Sequence, residues 1–148
     1  MLTMSKYGWG KIMIGTFSER CSYIDDVPFM LLKGFEESCR THRPIAMKFD
    51  AEGWEYTIVL DLVETHIIME TDEGYRLITV DVNRDELAKT LVADIRNNLE
   101  GWSRWTDYGD MTEDEADERQ KDLSVLCDIL ERRIPSNNYR TICKGGSP

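Results

Sequence analysis

"IAMKFDAEGWEYTIVLDLVETHIIMETDEGYRLITV", residues 45–80, decides the fold. Ile45, Met47 and Phe49 alternate with Ala46, Lys48 and Asp50. That period of two sends successive side chains to opposite faces of a strand. "DAEG" then turns the chain, and residues 54–63 make a second strand with Trp54, Tyr56, Ile58, Leu60 and Leu62 on one face. Residues 65–71 read as a third strand, and "TDEG" leads into a fourth over 75–82. Loops this short between alternating strands join neighbours in antiparallel fashion. The pattern predicts a meander.

Upstream of the meander, Pro44 closes a helix that begins after Asp25-Asp26 and runs to about Arg40. Asp is a good N-cap and Pro is tolerated in the first turn. Val27, Leu31, Phe35 and Cys39 form its apolar stripe. Gly34 lies inside this helix at a cost of about 1 kcal/mol against Ala, and it permits close packing against a sheet. Residues 7–17, "YGWGKIMIGTF", read as an edge strand.

Downstream, Asn83 and Glu86 have capping-box spacing. Leu87, Leu91, Ile95 and Leu99 then line one helix face, with Ala88 and Val92 beside them, as far as Gly101. Trp102 continues that stripe. Thr112 and Glu115 repeat the capping signature and open a helix to about Ile134, before Pro135.

The expectation is an α+β domain. It has a four- to five-stranded antiparallel meander, with one N-terminal and two C-terminal helices packed mainly on one face. It spans 1–148 as a single domain, with 1–5 and 136–148 as loose termini. Met4 reads as an alternative start, which would make residues 1–3 dispensable.

Charge narrows the function. Asp and Glu total 28 against 18 Lys and Arg, a net charge of −10. Residues 50–118 hold 20 acids and 5 bases. Such a surface repels nucleic acid and anionic membrane and steers basic proteins toward it. Cys21, Cys39, Cys127 and Cys143 form no C-x-x-C and no zinc spacing. There is no signal-peptide h-region and no apolar run long enough to span a bilayer. The expected setting is a reduced cytoplasm.

Catalytic patterns fail one by one. There is no phosphate-cradling glycine loop and no G-x-S-x-G. "DVNRDE", residues 81–86, begins like a calcium loop but has Glu86 where Gly is needed and Val92 where Glu is needed. Cys39 and His42 lie three apart, but a small buried Cys beside a surface His accounts for them. Asp50, Glu52 and Asp61 near the hairpins are the one carboxylate set that suits a metal-dependent or acid–base hydrolase. Neither a cofactor nor a metal is expected.

What remains is "GWSRWTDYGDMTEDEADE", residues 101–118. Its acids exceed what a helix dipole needs, and aromatics rimmed by charge resemble interface anchors. The candidate partner-binding residues are Trp105, Tyr108, Asp110, Glu113, Asp114, Glu115, Asp117 and Glu118. Between Glu113 and Arg119 only Ala116 is apolar, so the first half of this helix is expected to project into solvent. The leading reading is an acidic inhibitor of immunity or antitoxin type that neutralises a basic nucleic-acid-handling protein such as a nuclease toxin. Alternatives are a phage-type anti-defence nucleic-acid mimic, the small hydrolase, and a non-enzymatic module that forms a homodimer through the fourth strand, whose two faces both carry apolar groups.

Overall fold

The computed structural model describes residues 1–6 and 8–135. The expected loose end at 136–148 and Cys143 lie outside them. The architecture is α+β, in the order β1 (Leu2–Lys6), β2 (Trp9–Ile14), β3 (Phe17–Ser22), α1 (Val27–Thr41), β4 (Ile45–Asp50), β5 (Glu55–Leu60), β6 (Thr65–Thr71), β7 (Gly74–Val80), α2 (Arg84–Asn97), α3 (Leu99–Ser103) and α4 (Glu113–Arg133).

The meander forms as its alternation predicts. Strands β4 to β7 make an antiparallel sheet in sequence order, with Met47 opposite Ile58, Ile58 opposite Ile67, and Ile67 opposite Ile78. Phe49, Tyr56, Ile58, Leu60 and Ile67 are buried on the inner face. Trp54 and Leu62, expected on the same face, lie beyond the ends of β5 and are exposed.

The N-terminal region corrects the expectation. It is not one edge strand but a separate antiparallel sheet, β1-β2-β3. Residues 1–5 are not loose. Leu2 is buried, Thr3 pairs with Lys11, and the Leu2 amide donates to Asp94 Oδ2 at 2.8 Å. Residues 1–3 are therefore part of the packed structure. The alternation in β2 is real, with Gly10, Ile12 and Ile14 buried and Lys11 and Met13 facing out. Met13 on the outer face masks it in the sequence.

Tyr56 joins the two sheets. Its ring packs against Phe17 of β3 at 5.4 Å and Phe49 of β4 at 5.7 Å. Its hydroxyl donates to the Arg20 carbonyl at 3.1 Å. A phenol in this place satisfies its polar end while burying its ring.

The helical stripes are buried as their spacing requires. Val27, Leu31, Phe35 and Cys39 of α1 enter the core, as do Leu87, Leu91 and Ile95 of α2. The C-terminal side has a third, short helix, α3, because the chain breaks at Asn98 before resuming at Leu99. Helices α1, α2 and α4 pack on one another, α1 lies against β4, and α2 touches β1.

Gly34 faces β4, where a Cβ would overlap Met47 Sδ. Met47 is buried and must shift to admit it. We predict that Gly34→Ala destabilises the protein even though it gains helix propensity, because overpacking costs about 1–3 kcal/mol. Combining it with Met47→Ala should recover at least about 1 kcal/mol of coupling energy in a denaturant-melt cycle. Additive effects would show that the close approach is not what Gly34 provides.

Candidate functional site

The candidate site is the corner between α3 and α4. Trp102 and Trp105 pack together at 5.3 Å between ring centroids. Trp102 donates to the Asp94 carbonyl at 3.3 Å, and Trp105 to the Asp25 carbonyl at 2.9 Å. Trp105 is 0% exposed, so it is a core residue and not the surface anchor expected of it. Gly10 lies under its ring, and a Cβ there would meet the Thr3 carbonyl oxygen of β1 before Trp105 Cη2 at 3.3 Å.

Arg104 then bridges the corner. It pairs with Glu113 at 2.6 Å and Asp107 at 3.4 Å. Asp107 Oδ1 also accepts from the amides of Gly109 and Met111. These amides, and then Arg104, hold its carboxyl below the usual carboxylate range. Tyr108 emerges from this loop 67% exposed, edge-on to Tyr23 at 4.7 Å.

Helix α4 opens with the full capping box. Thr112 Oγ1 accepts from the Glu115 amide, and Glu115 Oε2 accepts from the Thr112 amide at 2.8 Å. The Thr112 amide, and then the Thr112 hydroxyl donating to the same oxygen, hold the Glu115 carboxyl below its ordinary value. The first half of α4 does not simply project into solvent. Ala116 is buried, and Arg119 reaches Asp26 at 3.2 Å, donates to the Ser103 carbonyl and lies over the Phe29 ring.

The eight expected residues therefore separate. Trp105 packs, Glu113 pairs and Glu115 caps. Tyr108, Asp110, Asp114, Asp117 and Glu118 are exposed. None of these four acids has an ion-pair partner among the described residues. Asp110, Glu118 and Asp122 share a shallow hollow of about 400 Å³ with Met111, Glu115 and Arg119. Asp122 was not among the expected residues, yet its place one turn beyond Glu118 is visible in the spacing.

The carboxylates proposed for hydrolysis do not converge. Asp50 sits at the start of the β4–β5 hairpin and Asp61 beyond the far end of β5, about 17 Å of strand away. Asp50 Oδ1 caps the Glu52 amide and Asp61 Oδ1 caps the Leu62 amide at 2.6 Å. Asp50 instead borders an open groove of about 820 Å³ with Glu19, Trp54, Glu55, Glu70 and Asp72. Glu19 comes from the unforeseen first sheet, which is why the sequence did not reveal this grouping. No cluster of His, Cys, Asp or Glu among the described residues could hold a metal ion. Cys21, Cys39 and Cys127 are free and buried, and burial raises the Cys21 thiol to about 12 and that of Cys127 to about 11. Such thiols are poor nucleophiles, and the Cys39–His42 pair finds no support.

No helix among the described residues is long and apolar enough to cross a membrane. Comparison with known protein families, curated proteins and solved structures gives no match to this chain.

Trp105→Ala should cost about 3–5 kcal/mol in chemical denaturation, as for a large buried aromatic. Tyr108→Ala should stay within about 0.5 kcal/mol, as at a surface position. Similar losses from both would contradict the division of this corner into core and surface. The Glu115 carboxyl is depressed in the folded state, so its contribution is full above its unfolded pKa of about 4.3 and fades as pH falls through the lower folded value. Melting of Glu115→Ala should accordingly decline less steeply below about pH 5 than melting of the unaltered protein. Parallel curves would count against the cap.

Proposed function

We propose that this protein is a small acidic inhibitor of immunity or antitoxin type. It neutralises a basic nucleic-acid-handling protein, such as a nuclease toxin, in the cytoplasm. One observation carries the reading: Asp114, Asp117, Glu118 and Asp122 stand three and four residues apart on the exposed side of α4, unpaired among the described residues. Neighbours at that spacing face one another, and like charges there destabilise a helix by about 0.2–0.5 kcal/mol per pair. Only Asp114 lies in the first turn, where the helix dipole offsets the repulsion. Lys121, four residues after Asp117 and three after Glu118, offsets part of it, a basic partner relieves the rest, and the exposed Tyr108 ring of the preceding loop supplies an amphipathic contact.

Electrostatic complementarity of this kind speeds association and fades with salt. A nucleic-acid mimic directed at a defence protein would use the same carboxylates and differ in the partner. The test is capture from an extract of the native host on the immobilised protein. The expected result is a basic protein that binds at low salt and releases as salt rises. Replacing Asp114, Asp117, Glu118 and Asp122 with their amides should weaken it at least about tenfold, the equivalent of 1.4 kcal/mol. Undiminished binding by that variant would overturn the assignment of the surface.

A further inference from the structure

The outer edge of the second sheet carries a feature that neither the fold nor the α4 surface uses. Strand β7 is the last strand of its sheet, pairs with β6 alone among the described residues, and keeps regular register over all seven of its own. Unpaired N–H and C=O groups on such an edge invite another strand. Proteins usually guard against this with Pro, Lys, a bulge or a short strand. Strand β7, "GYRLITV", has no Pro, Lys or bulge, and Arg76 is its single charge. Two of its outward side chains are apolar and open, Tyr75 at 77% and Leu77 at 64% exposed, and the third, Thr79, is polar and meets His66. Leu77 pairs with Ile68 of β6, so two apolar side chains stand together at the edge, and the row turns polar at Thr57 of β5 and Lys48 of β4.

Charge selects what can cover it. Residues 50–81 contain nine acids and one base, Arg76. Glu70 lies opposite Tyr75, Asp72 and Glu73 occupy the β6–β7 turn, and Asp81 follows the other end of β7. An incoming strand thus meets carboxylates at both ends and apolar side chains between. A second copy of this chain would bring the same acids to the same place and be repelled.

We propose that β7 receives an extended basic segment of a partner protein by strand addition, with an apolar side chain beside Leu77 and Lys or Arg toward Glu70 and Asp81. Main-chain hydrogen bonds supply the affinity in this mode, and alternate side chains supply the specificity. The site is separate from the α4 surface and does not require it.

The probe is the synthetic seven-residue peptide Lys-Thr-Val-Thr-Val-Thr-Lys, whose Lys and Val side chains share one face of the extended chain, titrated into the full chain and followed by amide hydrogen exchange. Binding should slow exchange of β7 amides, and the matching Glu–Val peptide should not bind. Leu77→Lys should weaken the Lys–Val peptide at least tenfold, whereas the amide variant of the α4 acids should change it less than twofold. Thermal melting checks that Leu77→Lys folds, and Tyr75→Lys serves in its place if it does not. Absence of binding, equal binding of the Glu–Val peptide, or loss only in the α4 variant would overturn the proposal. So would light scattering that shows a dimer abolished by Leu77→Lys, since the occupant would then be a second copy.

Discussion

Two aspartates before α1 hold the molecule's separate parts in place. Asp25 Oδ2 accepts from the Asp50 amide at 2.7 Å, at the end of β4. The Asp25 carbonyl accepts from the Trp105 indole. Asp26 takes both terminal nitrogens of Arg119 at 3.2 Å, tying down α4. Forked Arg–carboxylate contacts fix direction as well as distance, and charge-assisted bonds are about twice as strong as neutral ones. One dipeptide step thus connects the second sheet, the aromatic corner and the acidic helix. Asp26 occupies the N-cap position of α1 yet makes no side-chain cap bond. Pro28 removes one of the two amides that a cap can use. It stands in the first turn, where a cap accepts an N–H, and it has none to offer. The carboxylate is left for Arg119.

That economy separates two populations of acid. Asp25, Asp26, Asp94, Asp107, Glu113 and Glu115 each accept a tertiary, turn or capping bond. They would be acids in a protein with no partner at all. Asp110, Asp114, Asp117, Glu118 and Asp122 have no such bond among the described residues. Net charge treats the two alike. Geometry does not, and the second population is the one that a binding function has to explain.

Much of this fold was legible in the chain. Apolar spacing found α1, α2 and the buried half of α4, and alternation found β4 to β7, because burial of one face enforces both periods. Thr112 and Glu115 were readable as a cap since the motif is local. Two kinds of information were not. The first sheet was hidden because Met13 and the polar residues of "FSERCS" obscure its alternation, and its position depends on Tyr56 and Asp94, which are distant in sequence. The fate of Trp105 was hidden because a loop aromatic looks the same whether it faces solvent or, as here, packs on Trp102 and donates to the Asp25 carbonyl. Arg119 likewise reads as one more charge on a polar helix until Asp26 and Phe29 are brought to it.

The same charge that suggests a partner also answers a hazard of the fold. A regular, apolar edge such as β7 is a template for self-association. Mutation to Lys or Pro would protect it, but would also close it to every strand. Surrounding it with carboxylates acts selectively. Copies repel one another over a Debye length of about 8–10 Å at ordinary ionic strength, while a basic strand is attracted over the same range. An acidic neighbourhood around an unguarded edge therefore favours a hetero-partner over a homo-partner. Between residues 50 and 81, Asp50 and Asp61 serve local turns and Glu55 pairs with Lys48, so Glu70, Asp72, Glu73 and Asp81 are the acids on which that selectivity would rest.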